Sequence, residues 1–356
     1  MKERLRLVFF GTPEIAVPTL EALIASRHEV VGVVSQPDRG RGRGRKLSPS
    51  PVSAVAIREG IPLLRPEKVG DPETVAALEA LEPDLGVVVA FGQFLPKKVR
   101  ELPRCGYLIN AHASLLPRYR GAAPIARALL EGERETGISV MRIEKEMDAG
   151  PVALVARTPI DPGENAEELA TRLGQLAAEA ILESVDRIAA GEVEWTRQDA
   201  SRATFAAKIE KADSVLDLRE PARALVCRIH AVSPRPGGAV TLLGDGTDQQ
   251  DGGRTADETL LKISRASAAD FDPTCDFDAD GRPPAPGTLD RSHPSLPLRI
   301  ATGDGWLLPS VMQRPGGKPL PLADFLRGFE IPAGARLALP EGDRGDARSD
   351  HESENG

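Results

Sequence analysis

The apolar residues at 5–10, 30–34 and 85–90 form short continuous runs rather than alternating with polar ones. Continuous runs of this length are typical of strands that are buried on both faces of a parallel sheet. Between the first two runs, Thr12 and Pro13 suit the N-cap and the first position of a helix. The order strand, helix, strand predicts an α/β fold with a doubly wound, mostly parallel sheet.

The pattern changes in the second half of the chain. A long amphipathic helix is predicted over 165–190, and short alternating runs beyond residue 238 are separated by Gly, Pro and Asp, which indicates a small β-barrel. Two stretches of this half are polar and acid-rich, and the last residues are almost free of apolar side chains. We therefore expect a sheet domain over 1–195, a linker over 196–207, a barrel domain over 208–339 with insertions at 244–258 and 268–284, and a disordered tail over 340–356.

Composition and charge narrow the possible functions. The formal net charge of −8 argues against indiscriminate nucleic-acid binding, so an RNA partner needs a few concentrated positive groups. Three scattered cysteines argue against a disulfide framework, and no spaced set of ligands implies a metal. No apolar run approaches the ~18 residues of a membrane span, and we expect a cytoplasmic protein. A Gly-x-Gly-x-x-Gly motif does not follow the first strand, which argues against a nicotinamide enzyme.

Arginine alternates with glycine in the segment 36–50, Q-P-D-R-G-R-G-R-G-R-K-L-S-P-S. Such a segment can form no core, so we expect a mobile loop. A solvated loop without further role is one interpretation. The favoured one is an arm that binds backbone phosphates, because guanidinium groups match phosphate oxygens and glycines allow close approach. The candidate phosphate-binding residues are Arg39, Arg41, Arg43, Arg45 and Lys46.

The segment 110–121, N-A-H-A-S-L-L-P-R-Y-R-G, follows a predicted strand at 106–109. Ligands of parallel sheets bind at the carboxyl ends of strands. Asn110 and His112 lie two residues apart, so on an extended segment both side chains point to the same side and can reach one reacting group. A hydrogen-bonded structural histidine beside a turn-forming asparagine is the alternative.

The same segment contains S-L-L-P at 114–117, and two further motifs accompany it: D-A-G at 148–150 and F-G-T-P at 10–13. Together they resemble the folate-dependent formyltransferases, and most closely those that act on methionyl-tRNA. The resemblance covers about residues 5–210 well and 211–338 loosely. It implies a Rossmann-like sheet, an OB-like barrel that holds the tRNA, and 10-formyltetrahydrofolate as co-substrate. It places the folate near Ala90, Phe91, Phe94, Ser114, Leu115, Leu116 and Pro117, although Phe91 and Phe94 could instead pack in the core.

The resemblance also implies the reaction. The formyl group would pass from 10-formyltetrahydrofolate to the α-amine of methionine on initiator tRNA, in a monomer and without a metal. Asn110 and His112 would donate hydrogen bonds to the developing oxyanion, and removal of one such donor costs roughly 10²–10³ in rate. Asp148 would face His112 and accept the proton of the amine. Arg43, with Lys46 behind it, would contact the acceptor arm, although the register of Arg41 against Arg43 is open.

Two departures from the family pattern fall in the second half. The sequence S-P-R-P at 233–236 stands where the family usually has an aromatic residue within a Pro-x-Pro turn. Residues 204–339 hold 16 Lys and Arg against 18 Asp and Glu, so the barrel is not basic overall. If it binds tRNA, its positive groups must cluster on one side.

Other functions remain open at this point. The same three residues could formylate a sugar nucleotide or another small amine, such as a purine-pathway ribonucleotide, or support hydrolysis of 10-formyltetrahydrofolate. The arginine-rich segment favours a polyanionic substrate over these. From a different class, the chain could be an RNA-binding protein with a degenerate Rossmann-like domain. The intact Asn110, His112 and Asp148 and the scarcity of aromatic side chains argue against that.

Overall fold

A computed structural model describes residues 4–41, 46–244 and 258–340, and at residues 39, 41 and 46 it describes the backbone. The chain folds as two compact units. One contains Met1–Ala128 and Glu133–Lys208, and the other contains Leu129–Gly132 and Ile209–Gly356. The segment 196–207, which was predicted as a linker, therefore lies within the first unit.

The strands up to residue 208 are β1 Arg6–Gly11, β2 Glu29–Val34, β3 Arg39–Arg41, β4 Lys46–Ser48, β5 Leu63–Leu64, β6 Leu85–Val89, β7 Leu108–His112, β8 Arg120–Gly121, β9 Glu135–Arg142, β10 Val152–Pro159 and β11 Phe205–Ala206. The helices are α1 Val17–Ala25, α2 Pro51–Arg58, α3 Pro72–Ala80, α4 Lys97–Arg100, α5 Pro124–Leu130 and α6 Ala166–Ala190, with short 3₁₀ turns at Glu14–Ala16 and Ala200–Arg202.

Seven strands form the main sheet in the order β10-β9-β7-β6-β1-β2-β5. The five from β7 to β5 are parallel, and β9 and β10 add an antiparallel edge. One face packs its alternate residues, among them Val8, Phe10 and Val88, against the helices α3 and α4. Helix α6 packs against α1 and β9. The predicted doubly wound, mostly parallel sheet is confirmed.

Local differences from the predictions follow from contacts between distant residues. Strand β7 extends to His112, beyond the predicted 106–109, because Asn110 and His112 pair with Met141 and Ser139 of β9. Thr12 does not cap a helix. Its hydroxyl donates to the carbonyl oxygen of Phe91 at 3.1 Å and accepts from the amide of Gln36 at 3.3 Å. Thr12 therefore joins three strand ends.

The arginine-rich segment also differs from its prediction as a loop. Strands β3 and β4 pair antiparallel, with Arg39 opposite Ser48 and Arg41 opposite Lys46. Backbone pairing satisfies amide and carbonyl groups without a core, and so a segment whose strands contain one apolar side chain, Leu47, can still form them. Arg43 and Arg45 lie outside the described residues.

The second unit contains the strands β12 Gly238–Leu243, β13 Thr259–Asp270, β14 Leu289–Asp290, β15 Arg299–Ala301, β16 Gly305–Gln313, β17 Leu320–Pro321 and β18 Arg336–Ala338, the helices α7 Ala222–Ala231 and α8 Leu322–Gly328, and a 3₁₀ turn at Ala212–Ser214. The strand order is β14-β15-β16-β13-β12-β18, with β17 on β16. A bridge between Thr288 and Arg336 joins the two ends of this sheet, and the Leu337 amide donates to the Gly287 carbonyl at 2.9 Å. The predicted small barrel is therefore confirmed as a nearly closed barrel-like sheet.

Part of the predicted polar, acid-rich insertion 268–284 packs on the barrel. Phe271 lies edge-on to Trp306 at 5.3 Å between ring centroids. Asp276, whose side chain is 2 % exposed, accepts a hydrogen bond from the Trp306 indole at 2.7 Å and lies 3.0 Å from the Arg299 guanidinium. Donors from β15 and β16 therefore allow an acidic residue to be buried. Residues 245–257 of the other predicted insertion lie outside the described residues.

Asp276→Asn is expected to destabilise the second unit by about 2 kcal/mol at pH 7, because a buried charged hydrogen bond is lost. Burial raises the pKa of Asp276, but hydrogen bonds from the Asp272 amide and the Trp306 indole, with the Arg299 charge, more than offset this and hold it below its usual range. A carboxyl group whose pKa is lower in the folded than in the unfolded protein stabilises the fold at pH values above its unfolded pKa, about 3.9. This stability is lost as the pH falls through the folded pKa.

The measurement is unfolding monitored at Trp306 between pH 7 and pH 3. The difference between wild type and Asp276→Asn should shrink as pH falls below about 4. Asp280→Asn, a change at an exposed acid of the same segment, should alter stability by less than about 0.5 kcal/mol. A stability difference for Asp276→Asn that is the same at pH 7 and pH 3 would contradict the assignment.

Candidate active site

A cavity of about 950 Å³ lies at the carboxyl ends of β6 and β7. Its walls are mainly apolar, and its volume lies in the range of small-molecule sites. It is lined by all three predicted catalytic residues and by three of the predicted folate residues: Asn110, His112, Asp148, Ala90, Phe91 and Phe94. The structure therefore brings these six residues to one site.

His112 is buried and held by two partners. Its Nε2 atom lies 2.8 Å from the carbonyl oxygen of Tyr119. A carbonyl oxygen only accepts, so Nε2 carries a proton. Nδ1 then lies 3.5 Å from Oδ2 of Asp148, which is longer than an ordinary hydrogen bond. The Tyr119 carbonyl therefore fixes the orientation of the imidazole, and no ordinary hydrogen bond joins Nδ1 to the Asp148 carboxylate.

Tyr119, which anchors His112, is itself firmly held. Its backbone is left-handed, with φ +60°, and its hydroxyl donates to Glu133 at 2.9 Å. The Arg118 guanidinium donates to Glu133 and lowers the pKa of that carboxyl, so Glu133 stays charged and accepts both bonds near neutral pH. The orientation of the His112 imidazole therefore depends on residues outside the cavity.

Asp148 occupies a backbone conformation that side chains rarely adopt, with φ +51°. Its Oδ2 accepts a hydrogen bond from the Gly121 amide at 2.8 Å. Two glycines make this arrangement possible. A Cβ at Gly150 would lie 1.9 Å from the Arg142 carbonyl oxygen, and one at Gly121, where φ is +120°, would lie 2.8 Å from the Ala206 carbonyl oxygen.

Asn110 provides an available donor in the cavity. It is partly buried in β7, and among the described residues its side-chain amide makes no hydrogen bond. Among the described residues, the polar contacts of the Asp148 side chain are made by Oδ2, so Oδ1 is available to a substrate. The site therefore offers a free amide donor, an oriented imidazole and a carboxylate oxygen.

Four predicted folate residues do not line the cavity: Ser114, Leu115, Leu116 and Pro117. Ser114 is fully buried, and its hydroxyl donates to the Arg118 carbonyl at 2.6 Å. Ser139 of β9 joins this turn, since its hydroxyl donates to the Ser114 carbonyl at 2.7 Å and accepts from the Leu116 amide at 3.1 Å. These residues build the turn that carries Tyr119 back to His112, and their contact with the folate stays a prediction.

The two phenylalanines beside β6 have different surroundings. Phe91 is 2 % exposed and packs edge-on to Phe10 at 5.6 Å, so its ring belongs to the core, as the alternative interpretation held. Phe94 is 74 % exposed and lines the cavity. The backbone between them is unusual, with positive φ at Ala90 and Gly92. Any contact of Phe91 with a ligand is therefore made by its backbone or by one edge of the ring.

Sequence reasoning missed several residues of the site. The start of α5 and the loop 144–147 also line the cavity. Gln36 donates from its side chain to the Phe91 carbonyl at 3.0 Å, and Gln198 donates to the carbonyls of Asp148 and Gly150. Glutamines carry no local signal of such a role, because their partners lie about 50 residues away in sequence.

For the candidate phosphate-binding residues the structure gives a partial view. The backbones of Arg39, Arg41 and Lys46 lie in β3 and β4, while Arg43 and Arg45 lie outside the described residues.

Over the described ranges no group of three His, Cys, Asp or Glu side chains could hold a metal ion. No helix within them has both the length and the apolar character to cross a membrane.

Comparison with protein families identifies the chain. Residues 5–185 match the family described as formyl transferase, and residues 208–330 match the formyl transferase C-terminal domain. The chain belongs to the formyl transferase family. Among similar proteins, the methionyl-tRNA formyltransferase of Chromohalobacter salexigens is 42 % identical over 342 residues, which cover 95 % of this chain and 98 % of the relative. That of Methylococcus capsulatus is 43 % identical over 333 residues, which cover 94 % and 99 %.

Solved structures agree on the fold of this formyltransferase. HypX from Aquifex aeolicus, in complex with tetrahydrofolic acid, superposes with a TM-score of 0.56 at 18 % identity, over 90 % of this chain and 47 % of HypX. The N-formyltransferase from Helicobacter canadensis, in complex with folinic acid and dTDP-3-aminofucose, gives 0.57 at 15 % identity, over 87 % and 99 %. At these identities the likeness concerns the fold alone.

Proposed function

We infer that this formyltransferase moves the formyl group of 10-formyltetrahydrofolate to the α-amine of methionine carried by initiator tRNA, for translation initiation. The observation that carries this function is the meeting of Asn110, His112 and Asp148 at one cavity. The relatives that share more than nine-tenths of the chain, and both of its domains, are named methionyl-tRNA formyltransferases.

The folate co-substrate fits the cavity by size and chemistry. Mainly apolar walls suit a flat ring system, and the left-handed backbone at Ala90 and Gly92 exposes peptide groups that can bind its polar edge. Phe94, exposed among the lining residues, is placed to cover the ligand. When bound there, 10-formyltetrahydrofolate supplies the formyl group.

The three polar residues divide the chemistry. The free amide of Asn110 donates to the formyl oxygen, on which negative charge develops as the amine adds, and fixed donors at such an oxygen lower the barrier. The Tyr119 carbonyl orients His112, so that its Nδ1 atom faces both Asp148 and the substrate. Asp148 accepts the proton that the attacking amine loses, through Oδ1 or a bridging water. The bond between the formyl carbon and N10 of the folate then breaks, and N10 takes up this proton as tetrahydrofolate leaves. No covalent bond to the enzyme is needed.

The tRNA is bound, in this proposal, by the β3–β4 strand pair and the four residues that connect it. The segment begins three residues after Gln36, whose side chain binds the Phe91 carbonyl beside the cavity. Strands β3 and β4 thus belong to the same unit as Asn110, His112 and Asp148. We further propose that the enzyme works as a monomer in the cytoplasm, where initiator tRNA is used.

Arg43→Ala is expected to raise the KM for methionyl-tRNA about 10-fold or more, and to lower the salt slope of tRNA binding by about one, because one phosphate contact is lost. The measurement is formylation and binding of charged tRNA between 50 and 200 mM salt. Arg58→Ala removes an exposed arginine of α2 that is paired with Glu21 and Glu59, and should leave both values unchanged. An unchanged kcat/KM in Arg43→Ala would count against the arm.

The acceptor is tested by product analysis. Purified enzyme with 10-formyltetrahydrofolate is offered methionyl-tRNA, an amino-sugar nucleotide, an aminoribonucleotide or water alone. We expect formyl-methionyl-tRNA as the main product. Preferential formylation of a sugar or ribonucleotide amine, or release of formate without acceptor, would replace the proposal with one of those activities. Binding of RNA without any turnover would favour the non-catalytic alternative.

A further inference from the structure

The loop that carries Asp148 is held at its backbone by a residue 50 positions away. The side-chain amide nitrogen of Gln198 donates to the carbonyl oxygen of Asp148 at 2.8 Å and to that of Gly150 at 2.7 Å. These two carbonyls flank Ala149, so one amide group closes over the turn in which Asp148 adopts its left-handed conformation. Such a conformation persists only where surrounding contacts maintain it.

The orientation of the Gln198 amide is fixed by Arg120. The guanidinium donates to Oε1 of Gln198 from Nε at 3.1 Å and from Nη2 at 2.7 Å. Because arginine has donors only, the oxygen of Gln198 must face Arg120 and its nitrogen must face the two carbonyls. Arg120 is 8 % exposed, which places this pair away from most of the solvent.

The same short strand also holds the Asp148 side chain. Gly121 follows Arg120 in β8, and its amide donates to Oδ2 of Asp148. Strand β8 is paired with β11, where Arg120 lies opposite Phe205 and Gly121 opposite Ala206. Arg120 and Gly121 therefore fix the backbone and the carboxylate of Asp148 together, the first through Gln198 and the second directly.

We propose that Gln198 is a positioning residue for formyl transfer, which acts by holding the backbone of Asp148 so that its carboxylate faces His112 and the substrate amine. This inference rests on the proposed function of Asp148. Gln198 does not line the cavity, so its loss should change the geometry of proton transfer and not substrate binding. A displacement of about 1 Å at a reacting group can cost up to about 10²-fold in rate.

Gln198→Glu isolates this role. It keeps the length of the side chain and an acceptor for Arg120, but replaces the two donated hydrogen bonds by an oxygen that faces two carbonyl oxygens. We expect kcat for methionyl-tRNA to fall about 10- to 100-fold, with the KM of both substrates within about 3-fold of wild type. Gln175→Glu, an exposed position on α6, makes the same chemical change and should leave kcat within 2-fold.

A second readout does not depend on activity. Amide hydrogen exchange of the segment 144–152, followed by mass spectrometry, should be at least 5-fold faster in Gln198→Glu than in wild type, with no change in β1 or α6. If Gln198→Glu does not fold, Gln198→Ala is measured in its place. A kcat within 2-fold of wild type, a change confined to KM, or unchanged exchange would overturn the proposal. An inactive wild type would contradict the proposed function instead, while the exchange measurement would still test the contact.

Discussion

Asp148→Asn is expected to lower kcat for formylation of methionyl-tRNA by about 10³-fold or more, with little change in thermal stability. Asparagine keeps an oxygen that can accept the Gly121 hydrogen bond, so the loop should keep its shape. It cannot accept a proton from the attacking amine, and it removes the charge that faces His112 at 3.5 Å. General base catalysis contributes typically 10²–10⁴ in rate, which sets the expected size of the loss.

A matched control exists in the same unit. Asp186 faces His28, with 3.1 Å between Oδ1 and the histidine Nε2, and it does not line the cavity. Asp186→Asn alters a histidine–aspartate pair of the same kind and should leave kcat within 2-fold. Near-wild-type turnover by Asp148→Asn, or an equal loss in both variants, would remove Asp148 from the mechanism.

Asn110→Ala should lower kcat by roughly 10²–10³, the usual effect of removing one donor to a developing oxyanion. The KM of both substrates should change little, since this hydrogen bond strengthens as charge develops. Asn110 pairs through its backbone with Val88 and Met141, and this pairing does not depend on the side chain. The measurement is steady-state kinetics with charged initiator tRNA, accompanied by thermal unfolding.

The interpretation of Asn110→Ala depends on how the loss divides between kcat and KM. A rise in KM with unchanged kcat would mean that Asn110 binds the ground state of a substrate and not the developing oxyanion. A loss below about 3-fold in kcat/KM would mean that the amide is not a catalytic donor.

The sheet could be predicted from sequence because its strands are marked locally. Runs of mainly apolar residues at β1, β2 and β6 identify strands buried on both faces. The strand pair β3–β4 could not be predicted in this way, because its stability comes from backbone pairing and its residues carry no apolar pattern. The predicted barrel was found by the alternation of short runs, but its closure by Thr288 and Arg336 depends on residues 48 positions apart.

The candidate site likewise contains residues that the sequence marks locally and residues that it does not mark. Asn110 and His112 were found because they share a strand, and Asp148 because its motif accompanies theirs. The motif at 114–117 was linked to the folate through the family resemblance, and the structure shows in addition that these residues build the turn behind His112. Gln198 and the Asp276–Arg299–Trp306 cluster were missed, because a buried polar group is recognised only through its distant partners.

The central claim is that Asn110 and His112 at the end of β7, together with Asp148 in the loop between β9 and β10, transfer a one-carbon unit to a charged tRNA. The most direct measurement is formylation by the purified enzyme with 10-formyltetrahydrofolate and methionine-charged initiator or elongator tRNA. We predict that the methionyl group on the initiator is formylated with a kcat/KM at least about 10²-fold above that for the elongator. No formylation of either tRNA, under conditions in which the protein is folded and binds folate, would contradict the account.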